Sequence, residues 1–327
     1  MRSIGLWYQL PCRIRPKGPI SHSAFPEALE LFKARCRRHA RLRNTERNTD
    51  TKDEAELQRA LARVSRALLP DDLEAALDQL SQLPRKPAAR TVLLERFGAL
   101  TANRRRDADG LLRWLLLRAL RDLVTGADVP LLLEATRTFE HVPPSFDEVA
   151  HGIRAEGLHR LLELDGDLAR WRAIEMLADG QDNPVTGEPA RTALRVLGSA
   201  GELTLLYGIA LDNPYGLPPA ARAESLLWLD GLPDDRLRPV IDRFLEKDEP
   251  NLLLPVIELG IERRVGWLED VLINALLATS HVDAFRYAIL QAIARHRLDL
   301  VERIRGRLDS KEQAEKIAVL RELRAGT

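Results

Sequence analysis

One phrase recurs along this 327-residue chain, and it limits the fold more than any other feature of the sequence. The phrase is an arginine followed by apolar residues four and seven positions later, which places both apolar side chains on one face of a helix. In one copy, Arg154 precedes Leu158 and Leu161. The other copies begin at Arg90, Arg113, Arg222 and Arg286, and a sixth begins at Ala190, with its arginine one place late at Arg191. Each copy predicts an amphipathic helix with one buried face.

A second helix is predicted after five of these copies, because an acidic residue there precedes another apolar run. The acids are Asp128, Asp167, Glu202, Asp235 and Asp299. A carboxylate at a helix start accepts hydrogen bonds from free N–H groups and faces the positive end of the helix dipole. The last two copies are 64 residues apart, twice the preceding spacing of 32, so residues 251–279 are expected to hold a degenerate repeat of two helices.

Helix pairs that recur every roughly 30–40 residues cannot each bury an apolar face alone, so they predict a stack with one continuous core. The predicted fold class is all-α: an α-solenoid of stacked antiparallel helix pairs over residues 51–327, without strands. The arginine phrase, the turn with an acid and the second helix resemble HEAT repeats over about residues 85–308. The resemblance implies that the second helices line a concave face that binds proteins.

The two ends of the chain differ from this repeat. Residues 1–50 hold 11 Lys and Arg against 4 Asp and Glu, whereas residues 51–327 hold 38 against 45. The basic run at 33–47 could neutralise phosphates, but no aromatic residue is interleaved to stack on bases, so a solvated extension or a first capping helix is favoured. Residues 310–325 are expected to form a C-terminal capping helix with Ile317, Leu320 and Leu323 on its apolar face and with Ser310 and Gln313 as a capping box.

No catalytic, cofactor or metal motif stands out in the sequence. There is no H-E-x-x-H pair, P-loop or nucleophile elbow, although His151 and His159 can share a helix face with Glu156 between them. Both cysteines lie in the basic segment, so no disulfide framework is expected, and no apolar run is long enough to cross a membrane. We therefore expect a cytoplasmic protein without a cofactor.

Mixed charge on the second helices indicates a protein partner more than a phosphate backbone. The candidate partner-binding residues are Arg137, Arg170, Trp171, Arg172, Arg236 and Arg243, and the five arginines are taken as exposed positions. The leading function is a non-catalytic protein–protein interaction scaffold. The alternative is a DNA-binding or DNA-alkylation-repair glycosylase-like HEAT enzyme, for which Trp171 between two arginines is the local support.

The three tryptophans at a spacing of 57 residues do not fall at equivalent places in the repeat. Trp114 and Trp228 lie at different positions of first helices, and Trp171 lies in a second helix. They cannot form one ridge, so packing in the core or at its rim is the interpretation that fits each of them better than a repeated aromatic reader.

Overall fold

The computed structural model describes residues 54–83, 87–143, 147–308 and 313–325, and these residues are predominantly helical. Two compact units divide the chain, Met1–Arg59 and Ala60–Thr327. The predicted basic extension at 1–50 lies outside the described residues. The all-α prediction is confirmed for the part of the chain that the structure describes.

Sixteen α-helices follow one another in the described residues. They are α1 (54–66), α2 (Pro70–Ser81), α3 (Pro87–Ala102), α4 (Leu111–Ala119), α5 (Val129–Thr136), α6 (His151–Leu164), α7 (Gly166–Asp179), α8 (Ala190–Ser199), α9 (Leu203–Asp212), α10 (Pro219–Leu227), α11 (Asp234–Leu245), α12 (Pro250–Arg263), α13 (Gly266–Ala278), α14 (Val282–Ala294), α15 (Leu298–Arg307) and α16 (Ala314–Ala325). Two helices, α12 and α13, are present where the degenerate repeat is expected. Two short 3₁₀ turns, Arg104–Arg106 and Gly126–Asp128, flank α4.

A two-residue ladder departs from the strand-free expectation. Strands β1 (His141–Val142) and β2 (Asp147–Glu148) pair antiparallel between α5 and α6, with His141 opposite Glu148. Pro143 has no N–H to continue a helix, so the chain here takes an extended course. The Glu148 carboxylate then accepts a hydrogen bond of 2.7 Å from the N–H of Ala150, directly before α6.

The even-numbered helices of the second unit contact one another in succession, from α2 through α4, α6, α8, α10, α12 and α14 to α16. Five copies of the arginine phrase fall in this series, in α4, α6, α8, α10 and α14. Odd-numbered helices pack against their even-numbered neighbours, as α5 and α7 do against α6. Five of the six copies therefore fall in one series of contacting helices, and the sixth, which begins at Arg90, falls in the odd-numbered helix α3.

Four copies of the phrase have the predicted phase, and two do not. The apolar pairs of the four are fully buried: Leu117 with Leu120, Leu158 with Leu161, Leu194 with Leu197, and Leu226 with Leu229. In α14 the buried residue is Ile289, whereas the predicted Leu290 is 44% exposed. In α3 Phe97 is buried as predicted, but its buried neighbour is Leu93 instead of the half-buried Leu94. A shift of one residue rotates the buried face by about 100°, so the phase is wrong in α14, whereas in α3 it is wrong at one of the two positions.

The phrase arginines recur because several of them brace the ends of neighbouring helices. Fully buried Arg154 donates to the Asp179 carboxylate at 2.9 Å and to the Gln181 carbonyl at 3.0 Å, at the end of α7. Half-buried Arg222 donates to the Ala210 carbonyl in the last turn of α9 at 2.6 Å. A cation beside the free carbonyls of a helix end satisfies acceptors that the helix leaves unpaired. This bracing accounts for an arginine in helices that are otherwise apolar on the same face.

The acids predicted at second-helix starts are all found there. Glu202 and Asp128 occupy the positions before α9 and α5, and Asp167, Asp235 and Asp299 lie in the first turns of α7, α11 and α15. At α7 the capping bond itself comes from Asp165, whose carboxylate accepts from the N–H of Leu168 at 2.9 Å. The first-turn acids face the positive end of the helix dipole, and Asp299 also accepts hydrogen bonds of 3.0 Å from Arg297.

The C-terminal helix α16 packs on α14, as predicted, and buries Val319 and Leu320. Helical spacing predicts that Lys316 lies largely away from the apolar face of Ile317, Leu320 and Leu323, and this prediction is wrong. The Lys316 side chain is buried, and its Nζ donates to the carbonyls of Leu277 and Thr279 at 2.8 and 2.6 Å. A long alkyl stem allows this burial, and the two carbonyls at the end of α13 bind the charge. The capping box at Ser310 lies outside the described residues.

Candidate partner-binding surface

Among the candidate partner-binding residues, Trp171 is an exposed aromatic side chain. It is 62% exposed on α7, whose opposite side buries Ala169, Ala173 and Met176. An exposed tryptophan is costly to hydrate and is a common anchor of protein interfaces. The interpretation of Trp171 as core or rim packing is therefore wrong.

The other two tryptophans of the 57-residue spacing are half-buried, as the packing interpretation predicted. Trp114 packs against Gly152 of α6, and Trp228 packs against Gly198 of α8. Each pair joins two successive even-numbered helices. Their role is structural, and Trp171 differs from them.

Arg170 joins α7 to the start of α9. Its guanidinium lies 3.4 Å from the Asp167 carboxylate and 3.4 Å from the Glu202 carboxylate. Leu203, the residue after Glu202, is an exposed apolar side chain. The bridge therefore connects two neighbouring odd-numbered helices that each present an apolar side chain to solvent.

Arg172 is not an exposed position, which corrects the prediction. It is buried, and its Nε and Nη2 donate to the Thr136 hydroxyl and carbonyl at 3.0 and 2.8 Å. Its Nη1 donates to the Glu175 carboxylate at 2.8 Å. Position 172 is adjacent to the buried Ala173, and a flexible arginine there reaches the carbonyl at the end of α5. Arg172 joins α7 to α5 and is unavailable to a partner.

The three remaining candidates are exposed on two other helices. Arg137 ends α5, and no described residue forms an ion pair with it. Arg236 lies 3.9 Å from Asp235, and Arg243 donates to Glu246 at 2.7 Å, both on or beside α11. The structure thus distributes the five accessible candidates over α5, α7 and α11, with positive and negative groups alternating along them.

A buried ion network near α4 was missed by the sequence analysis. Arg113 donates through Nε to Asp107 at 2.7 Å and through Nη1 and Nη2 to Glu140 at 2.6 Å each. Burial lowers the pKa of Arg113, but the hydrogen bonds that Arg113 donates to the Glu140 and Asp107 carboxylates outweigh burial and raise the pKa above its ordinary value. The arginine was visible as part of the phrase. Glu140 is distant in sequence, and no local pattern pointed to it.

A groove of about 590 Å³ lies between α2, α4 and α6. The sequence analysis named two of its residues without predicting a groove. Glu156 and His159 line it, and Arg160 donates to Glu156 with an ion-pair distance of 2.8 Å. Burial raises the pKa of Glu156, and burial together with nearby arginines lowers the pKa of His159. His151 does not line this groove. Its Nε2 lies 3.0 Å from the Glu148 carboxylate.

Neither the side-chain groups of the described residues nor the comparisons with known proteins assign a catalytic activity to this surface. Within residues 54–83, 87–143, 147–308 and 313–325, no group of three or more metal-ligating side chains is placed to hold an ion. No helix in those same ranges is long and apolar enough to span a lipid bilayer. No family model, no curated protein and no solved structure matches this chain. The HEAT resemblance therefore stays a prediction from the repeat pattern.

Proposed function

We propose that this chain is a non-catalytic interaction scaffold of HEAT-like helix pairs, which binds another protein through its odd-numbered helices. The observation that carries the proposal is Trp171, exposed in the middle of a helix that is anchored on both sides. Arg172 fixes α7 to α5, and Arg170 fixes it to the start of α9. A rigid aromatic anchor loses little conformational entropy on binding, which favours an interface hot spot.

The packing of the helices supports a solenoid of helix pairs. Successive even-numbered helices contact one another along the second unit, and α9 contacts α11 as α13 contacts α15 among the odd-numbered set. A continuous series of even-numbered helices, with pairwise contacts among the odd-numbered helices, supports stacked repeats, whose long faces suit extended protein partners. The odd-numbered series carries the candidate residues.

The charges beside Trp171 favour a protein over DNA. A phosphate backbone requires cations that can release their counterions. Arg170 is shared between two carboxylates, and Arg172 is buried. The glycosylase-like alternative depended on these two arginines, so neither supports it as a free phosphate contact. Alternating charge around an exposed aromatic side chain fits the polar rim and apolar centre of a protein interface.

Site-specific photo-cross-linking tests the proposal in cells. A photoreactive amino acid replaces Trp171 in the full chain, and a matched variant carries it at Leu290, an exposed apolar residue on the even-numbered helix α14. We expect a discrete protein adduct from position 171 that position 290 does not give. Equal adducts at both positions, or an adduct with nucleic acid at position 171, would contradict the proposal.

A further inference from the structure

Three consecutive arginines form an exposed turn between α3 and α4. Arg104, Arg105 and Arg106 make up the 3₁₀ turn, and buried Asp107 follows them. The Asp107 carboxylate accepts hydrogen bonds from the N–H of Leu112 at 2.8 Å and from the N–H of Arg113 at 3.1 Å. The turn is therefore held at a fixed place on the start of α4.

The positive charge of this turn is incompletely neutralised. No described residue forms an ion pair with Arg105 or Arg106. Arg104 lies 3.3 Å from Glu140, but both oxygens of that carboxylate already accept from buried Arg113. Two exposed acids lie nearby, Glu134 and Asp109, and the Asp109 carboxylate is engaged with the N–H of Leu111.

Apolar side chains are exposed on both sides of the turn. On one side, a pocket of about 460 Å³ places Arg105 and Arg106 beside Leu68, Val142 and Val149, and Leu68 is 66% exposed. Val142 and Val149 are half-buried, so Leu68 is the large exposed apolar side chain of this pocket. Exposed apolar side chains with a charged rim are a common feature of interaction sites.

On the other side, a pocket of about 620 Å³ lies between Arg104 and Arg137, with Leu133 and half-exposed Phe139 in its wall. The two pockets share the arginine turn as their common border. A ligand that spans both would meet the arginines at its middle and apolar walls at its two ends.

We infer that the three-arginine turn and its two pockets bind an acidic segment of a partner protein that also carries apolar side chains. Arginine binds carboxylates through paired N–H donors, and the aliphatic walls bury the apolar side chains of the segment. A nucleic-acid strand fits less well, because the pocket beside Arg105 and Arg106 has no aromatic ring on which a base would stack. The other pocket has one ring, Phe139, and the Arg154 guanidinium already stacks on it, 4.1 Å from the ring centroid.

The inference rests on the proposed function only in taking the ligand to be a protein, since this surface does not include Trp171. Selection of a random peptide library displayed on phage, with the full-length chain as the target, reads out the chemistry directly. We expect the recovered peptides to combine Asp or Glu with Leu, Ile or Phe. A poly-thymidine oligonucleotide serves as the phosphate-backbone probe in the same binding assay.

Three variants test whether the recovered peptides bind the arginine turn, other exposed arginines or the surface at Trp171. Arg105→Ala with Arg106→Ala is expected to weaken the recovered peptides at least about tenfold, and the loss should shrink as salt rises. The control, Arg264→Asn with Arg321→Ala, removes two other exposed arginines, and we expect affinities within about twofold of the parent chain, as for charges away from an interface. Trp171→Ala is expected to leave this peptide binding unchanged.

Each outcome has a distinct meaning. Recovered peptides without acidic residues, or peptides that bind the double arginine variant as well as the parent, would overturn the inference. Binding of the oligonucleotide that depends on Arg105 and Arg106 would make the turn a phosphate site and would also overturn it. Peptides that require Trp171 instead would overturn this inference and leave the proposed function in place.

Discussion

Replacement of Gly198 by alanine should destabilise the protein, although alanine is the better helix former. Gly198 lies in α8, and a Cβ added there would meet the Trp228 ring at 2.1, 2.4 and 2.5 Å. Carbon atoms in ordinary contact are about 3.5–4.0 Å apart, so the ring would have to move by more than about 1 Å. Overpacking of this kind costs ~1–3 kcal/mol, whereas the gain in helix propensity is at most ~1 kcal/mol.

Because the ring must move so far, the cost is expected in the upper half of that range, and the net loss in the free energy of unfolding is about 1–2 kcal/mol. With an unfolding entropy of about 2.1 cal/mol/K per residue, that corresponds to a drop of roughly 1–3 °C in the midpoint of thermal unfolding of a chain of this size. Urea unfolding followed by circular dichroism, with tryptophan fluorescence as a second probe, measures the change in the free energy of unfolding. The matched control is Gly98→Ala in α3, where a Cβ would meet nothing within 4 Å. That variant should gain about 0.5–1 kcal/mol from helix propensity alone.

The expected loss of stability in Gly198→Ala comes from the contact with the Trp228 ring, so a change at Trp228 tests this cause directly. In a Trp228→Leu background, the cost of Gly198→Ala should shrink, because the shorter side chain leaves room for the methyl group. Equal stability of Gly198→Ala and Gly98→Ala in the parent chain would refute the packing of α10 on α8 as described.

Three further outcomes follow from burial and charge. Leu161→Ala should cost ~2–5 kcal/mol because the side chain is fully buried, whereas Leu290→Ala should change stability by less than ~1 kcal/mol; urea midpoints compare them. Burial raises the pKa of Asp182 to about 6, so the folded state keeps a proton that the unfolded state has lost. Its contribution therefore falls as pH rises from about 4 to 6, and Asp182→Asn should flatten that decline in urea midpoints taken across this range. Lys316→Ala should cost ~1–3 kcal/mol and speed hydrogen exchange in α16, because two backbone carbonyls lose a charged donor.

The repeat could be predicted from the sequence because helix period and break position are local signals. The pattern identified α12 and α13 in a stretch that lacks the arginine, since apolar runs and breaks were sufficient there. It failed in α14, where Ile289 and Leu290 are adjacent apolar residues and either could lie on the buried face. Only the packing of neighbouring helices decides between them, and that packing buries Phe285, Ala288, Ile289 and Ala292.

The candidate surface could be predicted in part for a similar reason. Odd-numbered helices were correctly expected to carry Arg137, Arg170 and Trp171, because their positions follow from helix order. The burial of Arg172 could not be predicted, since it depends on a carbonyl 36 residues away at Thr136. The three consecutive arginines can be read directly from the sequence, but the pockets on both sides of the turn are formed by segments that meet only in the folded chain.

The affinity of the cross-linked partner for the purified full-length chain tests the central claim most directly. Isothermal titration with the parent chain, Trp171→Ala and Leu290→Ala compares an exposed aromatic residue on an odd-numbered helix with an exposed apolar residue on an even-numbered one. If Trp171 is an interface anchor, its loss should weaken binding by about 30-fold, or ~2 kcal/mol, with the unfolding midpoint unchanged, and Leu290→Ala should stay within about twofold. A partner that binds Trp171→Ala as tightly as the parent chain would contradict the claim that this surface is the scaffold's contact face.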